Sequence, residues 1–367
     1  MANEPILMND FRRQWEDTRA DVLRAVETVG ASGWFVLGKQ VLDFEAKLSR
    51  CWGAAEAIGT ASGLDAIEIA LKACGVERGD KVLTTPMSAF ATTMAIVRLG
   101  AIPVFCDTDS NGLIDFHEAS DALRTFPEIR FFLPVHLYGI PLDARRLRGL
   151  IDEFALTCVE DCAQSILATP LIGRAAATSF YPTKNLGAMG DAGAALTNDA
   201  ELAARMRRLR DYGQSSKYVH TEIGWNSRLD ELHAAILGAA FLPRLAGWTE
   251  RRRAIAARYR AAWSRADIRI AEAVPESACW HLFPVFTPQK ASLLAHLRNN
   301  GIGAGEHYPA VIPDQPAMQG VSFVMHGDLP NARRIAAQEV SLPIHPYMTD
   351  DEVERVLAAI ENWNQTL

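Results

Sequence analysis

The 367-residue chain lacks any apolar run approaching the roughly 20 uninterrupted residues that cross a bilayer, since stretches such as the one from Val82 are broken by Thr, Ser and Pro. No membrane span is expected. It has no basic block long enough to track phosphates, and 37 Lys+Arg against 44 Asp+Glu leave a net charge of -7, so no nucleic acid is expected as partner. The opening MANEPILMNDFRRQWED lacks the basic and apolar regions of a secretion signal, which predicts a cytoplasmic protein. Cysteine is scarce: six are scattered through a chain too large to need disulfides, and the one near pair, Cys158 and Cys162, is not a CxxC motif. No metal or redox site is expected. A dinucleotide fingerprint is missing as well, because Gly187, Gly190 and Gly193 fall at intervals of three rather than as GxGxxG after a first strand.

With 49% hydrophobic and 22% charged residues, the composition is that of a globular protein of one large or two unequal domains. From Gly63 to Leu209 helical patterns alternate with short buried strands: LDAIEIALKACGV, KVLTT, FATTMAIVRLG, AIPVFCD, RFFLPVHLYG, DARRLRGLIDEFA and LTCVED. This order predicts an α/β fold with a mostly parallel sheet, whose ligands bind beyond the carboxyl ends of the strands. Near Leu242 the texture changes to the Ala/Arg-rich helix LAGWTERRRAIAARYRAAW and then to short strands and helices. The expected division is 1–245, an N-terminal arm and large α/β domain, and 246–367, a small C-terminal α+β domain.

The segment from Cys158 to Asp199 holds a single lysine, Lys184, in a Ser/Thr/Tyr/Pro-rich turn, while Asp161 directly follows the strand pattern LTCVE. Alone, Asp161 reads as a helix cap and Lys184 as a solvated charge. Together they are what pyridoxal 5′-phosphate requires, an acid that keeps the pyridine nitrogen protonated and a lysine that forms a Schiff base and later moves protons. GTASGLDAIEIAL offers a phosphate site, because Gly59 and Gly63 let the backbone approach an anion at a helix N-terminus. Phe90, at a strand-to-helix turn, could stack on the pyridine ring or simply pack in the core.

The segments VEDCAQS, SFYPTKNLGAMGDAGAALTND and GWNSRLDELHAAIL resemble the DegT/DnrJ/EryC1/StrS family of PLP-dependent (nucleotide-)sugar aminotransferases, and further matching segments follow in the family's order along nearly the whole chain. The resemblance implies the PLP-dependent transferase fold type I, aspartate aminotransferase-like, and a homodimer with shared active sites. It makes Lys184 the Schiff-base lysine, Asp161 the partner of the pyridine nitrogen and Gln164 that of the ring hydroxyl. Ser179 would hold the phosphate with the backbone of Gly63 and Leu64, and Asn226 would reach the neighbouring subunit's phosphate or, alternatively, cap the helix that follows it. The chain departs from the family at Leu64, His233, Asp314 and the run SILA after Gln164.

The resulting expectation is an aminotransferase that converts a nucleotide-diphosphate-linked keto sugar to an amino sugar with L-glutamate as donor. Trp34, Phe35, Tyr181, His220, His307 and Tyr308 are the candidate substrate contacts. The alternatives are an aminocyclitol (scyllo-inosose-type) aminotransferase and a PLP-binding regulator without turnover.

Overall fold

A computed structural model describes residues 4–263 and 267–363. Thirteen strands are present among them: β1 (Glu56–Thr60), β2 (Lys81–Thr84), β3 (Ile102–Phe105), β4 (Phe131–Leu133), β5 (Thr157–Asp161), β6 (Ala175–Ser179), β7 (Gly193–Thr197), β8 (Gln214–Ser216), β9 (Val219–His220), β10 (Arg269–Ile270), β11 (Phe283–Phe286), β12 (Val324–Met325) and β13 (Glu339–Leu342). Eight of them form one sheet in the order β1-β7-β6-β5-β4-β2-β3-β12, in which β7 alone runs against its neighbours. The mostly parallel α/β architecture is therefore observed. Its central strands are short and almost wholly buried, as strands covered by helices on both faces must be.

The crossover helices start and stop where local chemistry requires. Ser62 Oγ accepts the Asp65 N–H at 3.1 Å and so caps the helix Gly63–Ala73, while Gly75, at φ +99°, turns the chain out of it. Asp115 and Asp143 cap the helices Phe116–Thr125 and Ala144–Glu153 in the same way. The strand expected over RFFLPVHLYG shrinks to β4, because Pro134 has no N–H to give a ladder; its carbonyl instead accepts the Asp161 N–H at 2.8 Å. Asn226 does not cap the helix that follows it. That helix, Glu231–Ile236, is capped by Asp230, whose Oδ1 accepts the His233 N–H at 2.7 Å.

Beyond the long helix Leu245–Ala261, strands β10, β11 and β13 form a separate antiparallel sheet packed by the helices Lys290–Asn299, Pro330–Gln338 and Asp350–Asn362. The chain then bridges back: β12 adds to β3 at the edge of the large sheet, and one apolar cluster runs from Phe105 and Phe132 to Phe283, Val340 and Trp363. The first three residues of the expected N-terminal arm lie outside the described residues. The remainder of the arm pairs Ile6 with Ile302, and the helix Phe11–Ser32 is tied down where both guanidinium nitrogens of Arg13 reach the Glu352 carboxylate at 2.8 Å. No helix among the described residues is long and apolar enough to cross a membrane.

Candidate active site

The carboxyl ends of β2, β5 and β6 open into a cavity of about 400 Å³. Asp161, the last residue of β5, is only 3% exposed and faces it. Its Oδ2 accepts the Thr92 hydroxyl at 2.7 Å and its Oδ1 the Ala163 N–H at 3.0 Å, and Ser88 Oγ lies 2.7 Å from Thr92 Oγ1. Among the described residues no cation lies within ion-pair distance of this carboxylate. A buried, hydrogen-bonded but unneutralised carboxylate is costly, so the arrangement fits a ligand that brings its own positive charge.

Lys184 lies in the turn between β6 and β7, with its backbone N–H donated to the Tyr181 carbonyl at 2.8 Å. Its side chain lines the same cavity, and Nζ has no hydrogen-bond or ion-pair partner among the described residues. Burial pushes the amine down to about 8, and only the negative charge of Asp161 opposes that shift. About a tenth of the amine is thus free base at pH 7, far more than for an ordinary lysine, and the free base is the form that attacks a carbonyl.

The cavity's other end is an anion cradle. The helix Gly63–Ala73 points its N-terminus inward beside Ser179, and Gly63 sits so close that a Cβ there would lie 2.5 Å from the Ser179 Cβ. Gly193 is equally required, since its Cβ would fall 2.4 Å from the Ser62 carbonyl oxygen. Ser227 braces the loop by accepting the Ala61 N–H at 3.1 Å and donating to Asp65 at 2.7 Å. Free N–H groups at a helix start and the Ser179 hydroxyl, which accepts the Tyr181 N–H at 3.2 Å and keeps its own proton to donate, are the equipment for a phosphate.

On the opposite wall, Gln164 Oε1 accepts the Tyr138 N–H at 2.7 Å and its amide donates to the Tyr308 hydroxyl at 3.2 Å. His281 and His307 also line the cavity, and burial followed by the Lys184 charge keeps both imidazoles neutral, His307 being pushed down to about 4. Burial, with Asp161 nearby, raises the Tyr308 phenol far above its ordinary range, so it stays protonated.

The structure thus brings together Gly63, Leu64, Asp161, Ser179, Tyr181, Lys184, His307 and Tyr308 around one cavity, with Gln164 bonded to its wall. Phe90 packs half-buried against the main core cluster, while its neighbours Ala89 and Ala91 line the cavity. Trp34, Phe35, His220 and Asn226 are exposed and do not line it; His220 Nδ1 lies 3.0 Å from the Tyr212 carbonyl and Asn226 Oδ1 accepts from Arg228 at 2.6 Å. Cys158 and Cys162 are buried free thiols pushed well up by burial, as structural cysteines are. Sequence reasoning missed Thr92, His281, Glu339 and Ser341. Thr92 was within reach, two residues after Phe90 in a segment already singled out, whereas the others are distant in the chain.

Comparison with known proteins agrees with this geometry. Residues 16–361 match the DegT/DnrJ/EryC1/StrS aminotransferase family. The chain is 38% identical over 366 residues to a dTDP-3-amino-3,4,6-trideoxy-alpha-D-glucose transaminase of Streptomyces venezuelae, covering 96% of this chain and 95% of the relative. It is 36% identical over 368 residues to a pleiotropic regulatory protein of Geobacillus stearothermophilus, covering 98% of both. Among solved structures, S. venezuelae DesV in complex with a ketimine intermediate superimposes with a TM-score of 0.93 at 37% identity, covering 98% of this chain and 99% of that one. Bacillus subtilis ntda with bound cofactor PMP gives 0.87 at 29% identity, covering 94% and 81%. The chain belongs to the DegT/DnrJ/EryC1/StrS family and is a pyridoxal 5′-phosphate-dependent aminotransferase of the α/β fold those structures share.

Proposed function

We propose that this aminotransferase moves an amino group from L-glutamate to a keto sugar carried on a nucleoside diphosphate. The observation that carries the chemistry is the facing of Lys184, with its amine held near 8, and the unneutralised Asp161 across one cavity. The sugar nucleotide rests on the relative named for a dTDP-linked amino sugar.

Pyridoxal phosphate, when bound, supplies an electron sink that stabilises negative charge at the carbon losing its proton. The rest falls to the chain. Asp161, oriented by Thr92 and the Ala163 N–H, would hold a proton on the pyridine nitrogen. Ser179 and the N–H groups of Gly63 and Leu64 would hold the phosphate, with Gln164 meeting the ring hydroxyl; Phe90, packed against the core beside the cavity, is not among its lining residues. Lys184, with its lowered amine lining the cavity, would take the donor's Cα proton and return it to the adjacent carbon. Tyr181, His307 and Tyr308, which line the cavity, would contact the substrate.

Trp34, Phe35, His220 and Asn226, exposed and away from their own chain's cavity, would serve a site only on a second copy, as in a homodimer with shared sites. Exposed Trp34, Phe35, Tyr218 and Ile223, from 59% to 91% accessible, give such an interface its apolar surface. The unpaired buried thiols suit the cytoplasm. The domain division after residue 245 rests on the separate small sheet.

The test is amino transfer from L-glutamate to a panel of dTDP- and UDP-linked 3-keto sugars, with scyllo-inosose as the rival acceptor, in parallel with borohydride reduction. We expect an amino sugar nucleotide as product and a cofactor fixed to Lys184 that Lys184→Ala abolishes. Turnover of scyllo-inosose alone, or a cofactor fixed elsewhere, would overturn the reading.

A further inference from the structure

Behind the cavity wall that carries His307, a chain of hydrogen bonds runs inward to a second buried carboxylate. Glu339, the first residue of β13, is fully buried and has no ion-pair partner among the described residues; the nearby Lys290 pairs with Glu306 at 2.6 Å instead. Glu339 Oε2 accepts the His307 backbone N–H at 2.6 Å, and Oε1 accepts the Ser341 hydroxyl at 2.5 Å. Ser341 Oγ lies 2.9 Å from His307 Nδ1. The Tyr138 hydroxyl donates to the His307 carbonyl at 2.8 Å, so both backbone polar groups and one ring nitrogen of this residue are held. Nε2, the other ring nitrogen, has no partner among the described residues, and the side chain lines the active cavity.

With Glu339 ionised, counting protons along this chain fixes the state of the ring. A backbone N–H can only donate and an ionised carboxylate can only accept, so the single Ser341 proton is committed to Glu339. Ser341 Oγ is then an acceptor toward His307, and Nδ1 must carry the ring proton. Since the imidazole is neutral, Nε2 presents a lone pair to the cavity.

We infer that Glu339, when ionised, and Ser341 are positioning residues that lock His307 in its Nδ1–H tautomer, so that Nε2 accepts a hydrogen bond from a hydroxyl of the sugar in the cavity. The identity of the hydroxyl donor rests on the proposed function, whereas the tautomer does not. A cavity residue presenting an obligatory acceptor would favour a sugar that keeps a hydroxyl at that position over its deoxy analogue, because an unmet buried acceptor costs binding.

The tautomer is read directly by nitrogen NMR of holoenzyme labelled with 15N-histidine, with the His307 signals assigned by their loss in His307→Asn. Measurement at pH 9 keeps Glu339 ionised, since burial, with Glu306 adding and Ser341, His307 N–H and Lys290 opposing, pushes its carboxyl up to about 7. The wild type should carry the proton on Nδ1. In the near-isosteric Glu339→Gln the backbone N–H of His307 retains the amide oxygen, the new NH2 donates to Ser341, and Ser341 must donate to Nδ1, so the ring should switch to Nε2–H. Ser341→Ala should leave a mixture. A wild-type ring protonated on Nε2, or Nδ1–H persisting in both variants, would overturn the lock. Addition of a dTDP-linked 3-amino sugar should move the wild-type Nε2 resonance; an unmoved resonance in an enzyme that still aminates keto sugars would overturn the ligand assignment while leaving the aminotransferase reading standing.

Discussion

At the scale of single residues, the site depends on two charges being kept unmet by the protein. Lys184 would ordinarily hold its proton to above pH 10, and its shift to about 8 leaves on the order of a few hundredfold more free amine near neutrality. The rate at which apoenzyme captures pyridoxal phosphate covalently should therefore climb about tenfold per pH unit below 8 and flatten above it, as followed by borohydride trapping. Asp161 raises the lysine's value, so Asp161→Asn should move that plateau to lower pH even as it weakens retention of the cofactor. A plateau that stays near 10 in the wild type would show that Lys184 is not in the buried setting seen here.

Among the elements, the helix Gly63–Ala73 does two separable jobs. Ser62 caps it, and Ser62→Ala should lower stability by about 1 kcal/mol. Gly63 instead keeps the space between the helix start and Ser179 open. Gly63→Ala should reduce cofactor affinity at least about tenfold, because its Cβ would force the two anion-holding walls apart. Equilibrium dialysis with pyridoxal phosphate beside denaturant unfolding separates the effects: unchanged affinity in Gly63→Ala would remove this loop from the phosphate site.

For the whole molecule, the decisive matter is that four residues expected at the site, Trp34, Phe35, His220 and Asn226, do not line the cavity within one chain. Dimerisation and cofactor affinity should then be linked, since binding that requires the dimer stabilises the dimer. Mixing Lys184→Ala with Asn226→Ala chains should restore activity, as each hybrid dimer contains one site with both residues intact. Absence of recovery, with subunit exchange confirmed and each single variant inactive, would count against shared sites. Dilution of the wild type should likewise release cofactor as it releases monomers.

The sequence by itself determined the alternation of strands and helices, the stop signal at Gly75, and the expectation that Asp161, Lys184, Ser179 and Gly63 share one site, because each follows from local periodicity, backbone freedom or a motif contained in a short stretch. It misjudged Asn226 as a possible cap and overextended the strand before His136, because a cap and a ladder end are decided by which donors remain unmet once the chain is folded. Tertiary structure alone decided that Thr92 orients Asp161, that burial lowers Lys184, and that β12 returns from the far end of the chain to the large sheet. Only it could join His307 to Glu339 and Ser341, whose side chains share one face of β13. Proton counts and burial belong to groups brought together in space, and no pattern of spacing along the chain records them.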